Sequence, residues 1–172
     1  MADGYVQVFC GSGDGKSSAA LGKGIASAIN GNSVIIVQFM KDKNENEKKF
    51  FEKLEPEIKL FRFEKMENCF EELTEEQKSE EVNNMRNGLN YAKKVLVTKE
   101  CDVLILDEVL GLINEGIISY EEVIPILQAR DEDVIIIMTG RVMSNELLEY
   151  VDNVSDIETL RWHFIKWVLL WT

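Results

Sequence analysis

Four short runs of almost unbroken apolar residues mark the chain: Val6 to Cys10, Ser33 to Phe39 (SVIIVQF), Asp102 to Leu106 and Val134 to Met138 (VIIIM). Rich in Val and Ile and without polar alternation, they read as strands buried on both faces of a parallel sheet. Ile58 to Phe63 and Asn153 to Ile157 are weaker strand candidates. Between them lie helical stretches, Lys16 to Ile29, Glu45 to Leu54, Thr74 to Thr98, Ser119 to Ala129 and Ser144 to Val151. Thr74-Glu75-Glu76-Gln77 has the spacing of a capping box, in which the hydroxyl and the Gln amide satisfy free amide hydrogens at a helix start. Strands alternating with helices imply βαβ units and a doubly wound α/β sheet. No internal repeat or low-complexity linker interrupts the pattern, and 172 residues suffice for one substantial core. The expectation is one domain over residues 1–172, with an atypical tail at 164–172.

The candidate chemistry sits at the ends of these strands. VFCGSGDGKSSAALG, Val8 to Gly22, places Gly15-Lys16-Ser17 where a phosphate-binding loop ends, but Cys10 stands at the position of the usual first glycine. Gly11, Gly13 and Gly15, at alternate positions, let the backbone turn tightly and aim amide hydrogens at a polyphosphate. Lys16 adds a positive charge, and the following helix adds the field of its N-terminus. Ser17 offers a hydroxyl to Mg²⁺ and Ser18 a second donor. Asp107-Glu108 closes the strand DVLILD, where an acidic pair holds a metal directly or through water; alone, such a pair also serves as a helix cap or as surface charge. Thr139-Gly140-Arg141 follows VIIIM, and an arginine there can reach the same edge with a bidentate fork. Three motifs at the ends of three strands favour one shared site.

Composition narrows the field. A formal charge of −12 argues against broad nucleic-acid binding. The charged stretch from Lys41 to Glu81 reads mostly as solvated surface. Cys10, Cys69 and Cys101 have neither zinc-type spacing nor the even count of a disulfide framework, which points to a reducing cytoplasm. The first residues lack a secretory pattern, and WHFIKWVLLWT is about half the roughly 20 residues that a bilayer-spanning helix needs. No membrane association is expected.

Together, VQVFCGSGDGKSSAALG, SVIIVQFMK, DVLILDEV and VIIIMTGR…VSDIETLRWH resemble the P-loop ATP:corrinoid adenosyltransferases from Tyr5 to about His163. That family carries Gly-x-Gly-x-Gly-Lys-Thr-Thr without the first glycine of the common loop, which accounts for Cys10. The resemblance implies a three-layer, RecA-like P-loop fold with a mainly parallel sheet. It implies transfer of the 5′-deoxyadenosyl group of ATP to the Co(I) centre of a reduced corrinoid, with release of triphosphate. By the same likeness, Gly11, Ser12, Gly13, Asp14, Gly15, Lys16, Ser17 and Ser18 hold the triphosphate. Ser17 and Glu108 hold Mg²⁺, Lys16 and Arg141 serve catalysis, and Gln38, at the end of a strand characteristic of the family with Lys41 beyond it, counts among the residues that bind the substrates. Phe70 is read either as an aromatic contact to the corrinoid or as ordinary packing. A reductase supplying electrons and a homodimer are the partners implied.

Co(I) is itself the nucleophile, so this chemistry needs no attacking side chain and no general base. The only histidine, His163, reads as structural. Asp14 stands where the family often has lysine, Ser17-Ser18 replaces a threonine pair, and three tryptophans crowd the last eleven residues, marking a partner contact, a closure over the site or an altered terminus. Two other readings stand beside the transferase: a P-loop ATPase or kinase cleaving a phosphoanhydride, and a non-catalytic ATP- or corrinoid-binding protein.

Overall fold

The computed structural model of the chain describes residues 4–40, 45–63 and 70–160. Within them, β1 (Val6–Cys10) lies between β5 (Ile135–Thr139) and β6 (Asn153–Asp156). β5 pairs with β4 (Val103–Asp107), β4 with β2 (Val34–Gln38), and β2 with β3 (Ile58–Arg62). The order is β3-β2-β4-β5-β1-β6, and every pairing is parallel. Every residue of β1, β2 and β4 is buried, as strands covered on both faces require.

Helices α1 (Lys16–Ile29) and α2 (Glu45–Phe51) cover one face. There Val34, Ile36, Val103, Ile105 and Ile137 pack beneath Ala20 and Phe51. Small residues let α1 sit close: a Cβ on Gly24 would stand 3.0 Å from Ile105 Cδ1. Helices α3 (Glu75–Val97), α4 (Val109–Asn114) and α5 (Tyr120–Gln128) cover the other face over a larger core containing Val8, Val37, Leu104, Leu106 and Met138. The capping box at Thr74 forms in both directions, with Gln77 N donating to Thr74 Oγ1 (3.3 Å) and Thr74 N to Gln77 Oε1 (3.0 Å).

Three local expectations are corrected. Ser144 to Val151 is no α-helix but a 3₁₀ segment, Asn145–Tyr150, wound tightly enough to bury Leu147 completely while leading straight into β6. Glu45 to Leu54 is helical only as far as Phe51, and a turn closed by Leu54 N on Phe51 O completes it. The unexpected α4 arises because Glu108 adopts a left-handed backbone, φ +62°, which ends the strand and starts a helix within one residue. Glu81 is an exception to the mostly solvated reading of Lys41 to Glu81: it is buried on α3, on the same helical stripe as Met85, Gly88, Leu89 and Ala92. No helix among the described residues is long and apolar enough to cross a membrane. Lys41, Cys69, His163 and the tryptophan-rich tail lie outside the described residues.

Candidate active site

The turn after β1 explains why a cysteine is acceptable at position 10. Cys10 is still strand, paired with Asp156 of β6, and its side chain joins the larger core. The chain first needs a glycine one residue later, where Gly11 takes φ +109°; Gly15 takes φ +104° as α1 begins. Burial foremost, then the neighbouring Asp156 charge, raises the pKa of the Cys10 thiol. It is therefore a neutral wall of the site rather than a nucleophile.

The amides of the loop divide into two sets. Gly11 N donates to Arg141 O and Gly13 N to Ile157 O, each at 2.8 Å, so the loop is fastened to the segments that follow β5 and β6. These two amides do not face the anion site, contrary to the expectation that the alternating glycines all turn theirs inward; neighbouring strand ends have claimed them. Ala19 is the first residue of α1 to reach back a turn, to Gly15 O at 2.8 Å. The amides of Gly15, Lys16, Ser17 and Ser18 are thus the ones that helix geometry leaves without an intrahelical acceptor. No acidic residue occupies this first turn and no side chain caps it, so its positive end is open to an anion. Lys16 Nζ rests on Gly13 O at 2.7 Å, folded over the loop. Ser12, Asp14 and Ser18 are exposed, and Ser17 is half-buried.

Along the carboxyl edge, the last residues of four adjacent strands form a row on the α1 face. Arg62 Nε donates to Gln38 Oε1 (2.8 Å), Gln38 Nε2 to Asp107 Oδ2 (3.0 Å), and Thr139 Oγ1 to Asp107 Oδ1 (2.8 Å). Thr139 Oγ1 also accepts from Glu108 N at 2.8 Å. Gln38, Asp107 and Thr139 are all buried. Because β5 lies between β1 and β4, Thr139 fills the position between the loop and Asp107. Two strand spacings separate loop and carboxylate by about 10 Å, room for a phosphate and a hydrated ion between them.

Three concave regions follow. A small one of about 110 Å³ brings Ser17 and Ser18 together with Gln38, Glu47 and Asp107. A cleft of about 630 Å³ is lined by Cys10, Gly11, Ser12, Arg141, Asp156 and Glu158. A third, about 460 Å³, holds Glu108, Met40, Asn114 and again Arg141. The expected pairing of Ser17 with Glu108 is therefore not what the fold assembles. Alternation along β4 aims Asp107 at α1, and the left-handed turn sends Glu108 to the other side of the edge. Arg141, exposed, lines both larger clefts, next to the loop that its carbonyl fastens. Phe70 starts a 3₁₀ turn and packs against the larger core; it lines none of these three regions. Sequence reasoning named the Asp107-Glu108 pair but chose Glu108 as the partner of Ser17, and it assigned no role to the hydroxyl of Thr139, to Arg62 or to the 156–158 segment. Strand parity was the available signal for Asp107, since Val103, Ile105 and Asp107 share a face.

Comparison with known proteins agrees over nearly the whole chain. A family model described as ATP:corrinoid adenosyltransferase BtuR/CobO/CobP matches residues 2–168. The corrinoid adenosyltransferase of Escherichia coli (strain K12) is 30% identical over 161 residues, covering 94% of this chain and 80% of the relative. Corrinoid adenosyltransferase CobA of Salmonella typhimurium is 29% identical over the same shares of each chain. Among solved structures, a KaiC-like protein from Pyrococcus horikoshii superposes with a TM-score of 0.59 at 17% identity, over 94% of this chain and 76% of that one. That likeness shows the fold: an α/β, RecA-like P-loop arrangement.

Proposed function

This chain belongs to the ATP:corrinoid adenosyltransferase family, and from that membership and the carboxyl-edge geometry we infer how its residues divide the work of ATP-dependent corrinoid adenosylation. The reaction joins the electron pair of Co(I) to C5′ of ATP as the C5′–O bond breaks, and that bond's electrons depart with the triphosphate. Cobalt, the substrate's own metal, ends formally as Co(III). No proton moves at the reacting carbon, so the site needs no base and the neutral Cys10 thiol is no obstacle. Its tasks are to hold C5′ in line with the cobalt and to stabilise charge growing on the leaving group.

In this reading the amides of Gly15 to Ser18 and the Lys16 ammonium receive the triphosphate, with Lys16 leaving Gly13 O to do so. Arg141 neutralises phosphate charge from the far side of the loop. The Ser17 hydroxyl and the Asp107 carboxylate are hard oxygen donors of the kind Mg²⁺ takes, one or two from protein with water completing the shell, and the region they share has room for a hydrated ion. When bound, the cation would offset charge on the triphosphate. Ser12 and Arg141, with Asp156 and Glu158, border the larger cleft that receives the nucleoside side of ATP. The Co(I) state requires an electron donor, so a reductase partner and a cytoplasmic setting belong to this reading; a homodimer is the assembly that the family resemblance suggests.

The observation that carries the assignment is the bond from Gly11 N to Arg141 O. It locks the glycine turn to the Thr139-Gly140-Arg141 turn, so that one anion site draws on both. The test is incubation with Mg-ATP and chemically reduced corrinoid, followed by ³¹P spectra and the absorbance of the cobalt–carbon bond. Triphosphate and an adenosylated corrinoid are expected. ADP and orthophosphate without a cobalt–carbon bond would refute the reading.

A further inference from the structure

The row at the carboxyl edge has proton positions that chemistry alone dictates. Arg62 Nε can only donate, so the atom of Gln38 facing it must be Oε1; that turns Nε2 toward the Asp107 carboxylate. Glu108 N can only donate, so Thr139 must accept from it and direct its single hydroxyl proton to Asp107 Oδ1. Each carboxylate oxygen of Asp107 is thus gripped by a neutral donor from the strand on either side. Beyond them Arg62 Nη2 bonds Glu47 Oε2 on α2 at 2.5 Å. Gln38 spends both ends of its amide inside this row and is 4% exposed, and Thr139 is 0% exposed.

We propose that Gln38 and Thr139 are positioning residues, not ligand contacts: they fix the Asp107 carboxylate in the wall of the region that it shares with Ser17, and the Arg62–Glu47 pair extends that hold to α2. This inference rests on the reading of Ser17 and Asp107 as the cation-holding pair. It also reassigns Gln38 from substrate binding to support of the cation site. Groups that orient a metal-binding side chain typically change cation affinity by about 10- to 100-fold when lost. A merely structural role would change stability and leave cation affinity alone.

The experiment titrates Mn²⁺ by electron paramagnetic resonance into protein and ATP without corrinoid, so that no transfer occurs. Thr139→Val keeps shape and volume but removes the hydroxyl; its Mn²⁺ affinity should fall about tenfold. Thr139→Ser restores the hydroxyl and should bind within about threefold of the parent, while ATP affinity measured without a divalent ion stays the same in both. Gln38→Leu should fall like Thr139→Val, and Arg62→Gln by a smaller factor. Circular dichroism checks that each variant folds; should Thr139→Val not fold, Gln38→Leu and Arg62→Gln carry the same measurement. Parent-like Mn²⁺ affinity in the folded Thr139 and Gln38 variants, with affinity lost in Asp107→Asn, overturns the proposal alone. Parent-like affinity in Asp107→Asn overturns the cation reading as well, which keeps the two failures distinct.

Discussion

Alanine at Gly11 and at Gly15 separates two reasons for a glycine in the loop. Both residues sit at strongly positive φ, +109° and +104°, where any side chain strains the backbone by about 1–3 kcal/mol. Around Gly15 the added carbon meets nothing within 4 Å, so strain is the whole cost. At Gly11 it falls 2.1 Å from Asp156 Oδ1, 2.3 Å from Ile157 O and 2.7 Å from Ile157 N. The carboxylate can swing aside, but the backbone of residue 157 cannot without disturbing Ile157 N on Cys10 O and Gly13 N on Ile157 O, both at 2.8 Å. Overlap of this kind adds about 1–3 kcal/mol, so Gly11→Ala should be less stable than Gly15→Ala by that amount. In a chain of 172 residues each kcal/mol moves the melting temperature by about 2–4 °C, which predicts a gap of about 2–12 °C in thermal unfolding followed by circular dichroism. Isothermal titration with ATP should rank them differently: Gly15→Ala disturbs the amides that meet the anion and should lose affinity out of proportion to its melting point. Equal melting temperatures for the two variants would refute the claim that the 156–158 segment clamps the loop.

Lys16→Ala should lower turnover by about 10²–10³ while the melting point barely moves, since Lys16 Nζ has one loop carbonyl as its partner at rest; steady-state assay of corrinoid adenosylation decides it. Asp14 is exposed beside the anion site, and Asp14→Asn should improve the KM for ATP about two- to fivefold at low ionic strength, an advantage that fades with added salt. A KM that moves equally at every ionic strength would point to something other than charge. Cys101 is buried, and desolvation, with lesser help from Asp102, pushes its thiol up to about 12 from an ordinary 9.0. The unfolded chain releases that proton near pH 9 and the folded chain keeps it. Stability from this group is therefore complete below pH 9 and is lost between pH 9 and about 12, with a slope of up to about 1.4 kcal/mol per pH unit. Urea unfolding under reductant from pH 8 to 10 should lose stability more steeply with pH in the parent than in Cys101→Ala, where the raised Cys10 thiol remains; identical slopes would rule out a contribution from Cys101.

The sequence by itself determined what short-range chemistry determines. Unbroken Val and Ile runs marked the strands buried on both faces, the Thr74–Gln77 spacing set the start of α3, and Gly15-Lys16-Ser17 announced an anion site at a helix start. Each of these is written within a few residues, in periodicity, propensity or capping. Only the tertiary structure decided which amides remain for a ligand, since the acceptors that claim those of Gly11 and Gly13 belong to residues 141 and 157, far along the chain. It also decided that Asp107 and not Glu108 stands with Ser17. One left-handed residue reverses the direction in which the acidic pair points, and strand order inserts Thr139 between carboxylate and loop. Strand order follows from how non-local surfaces pack against one another, and a site built at the edge of a sheet takes its chemistry from whichever strands become neighbours there.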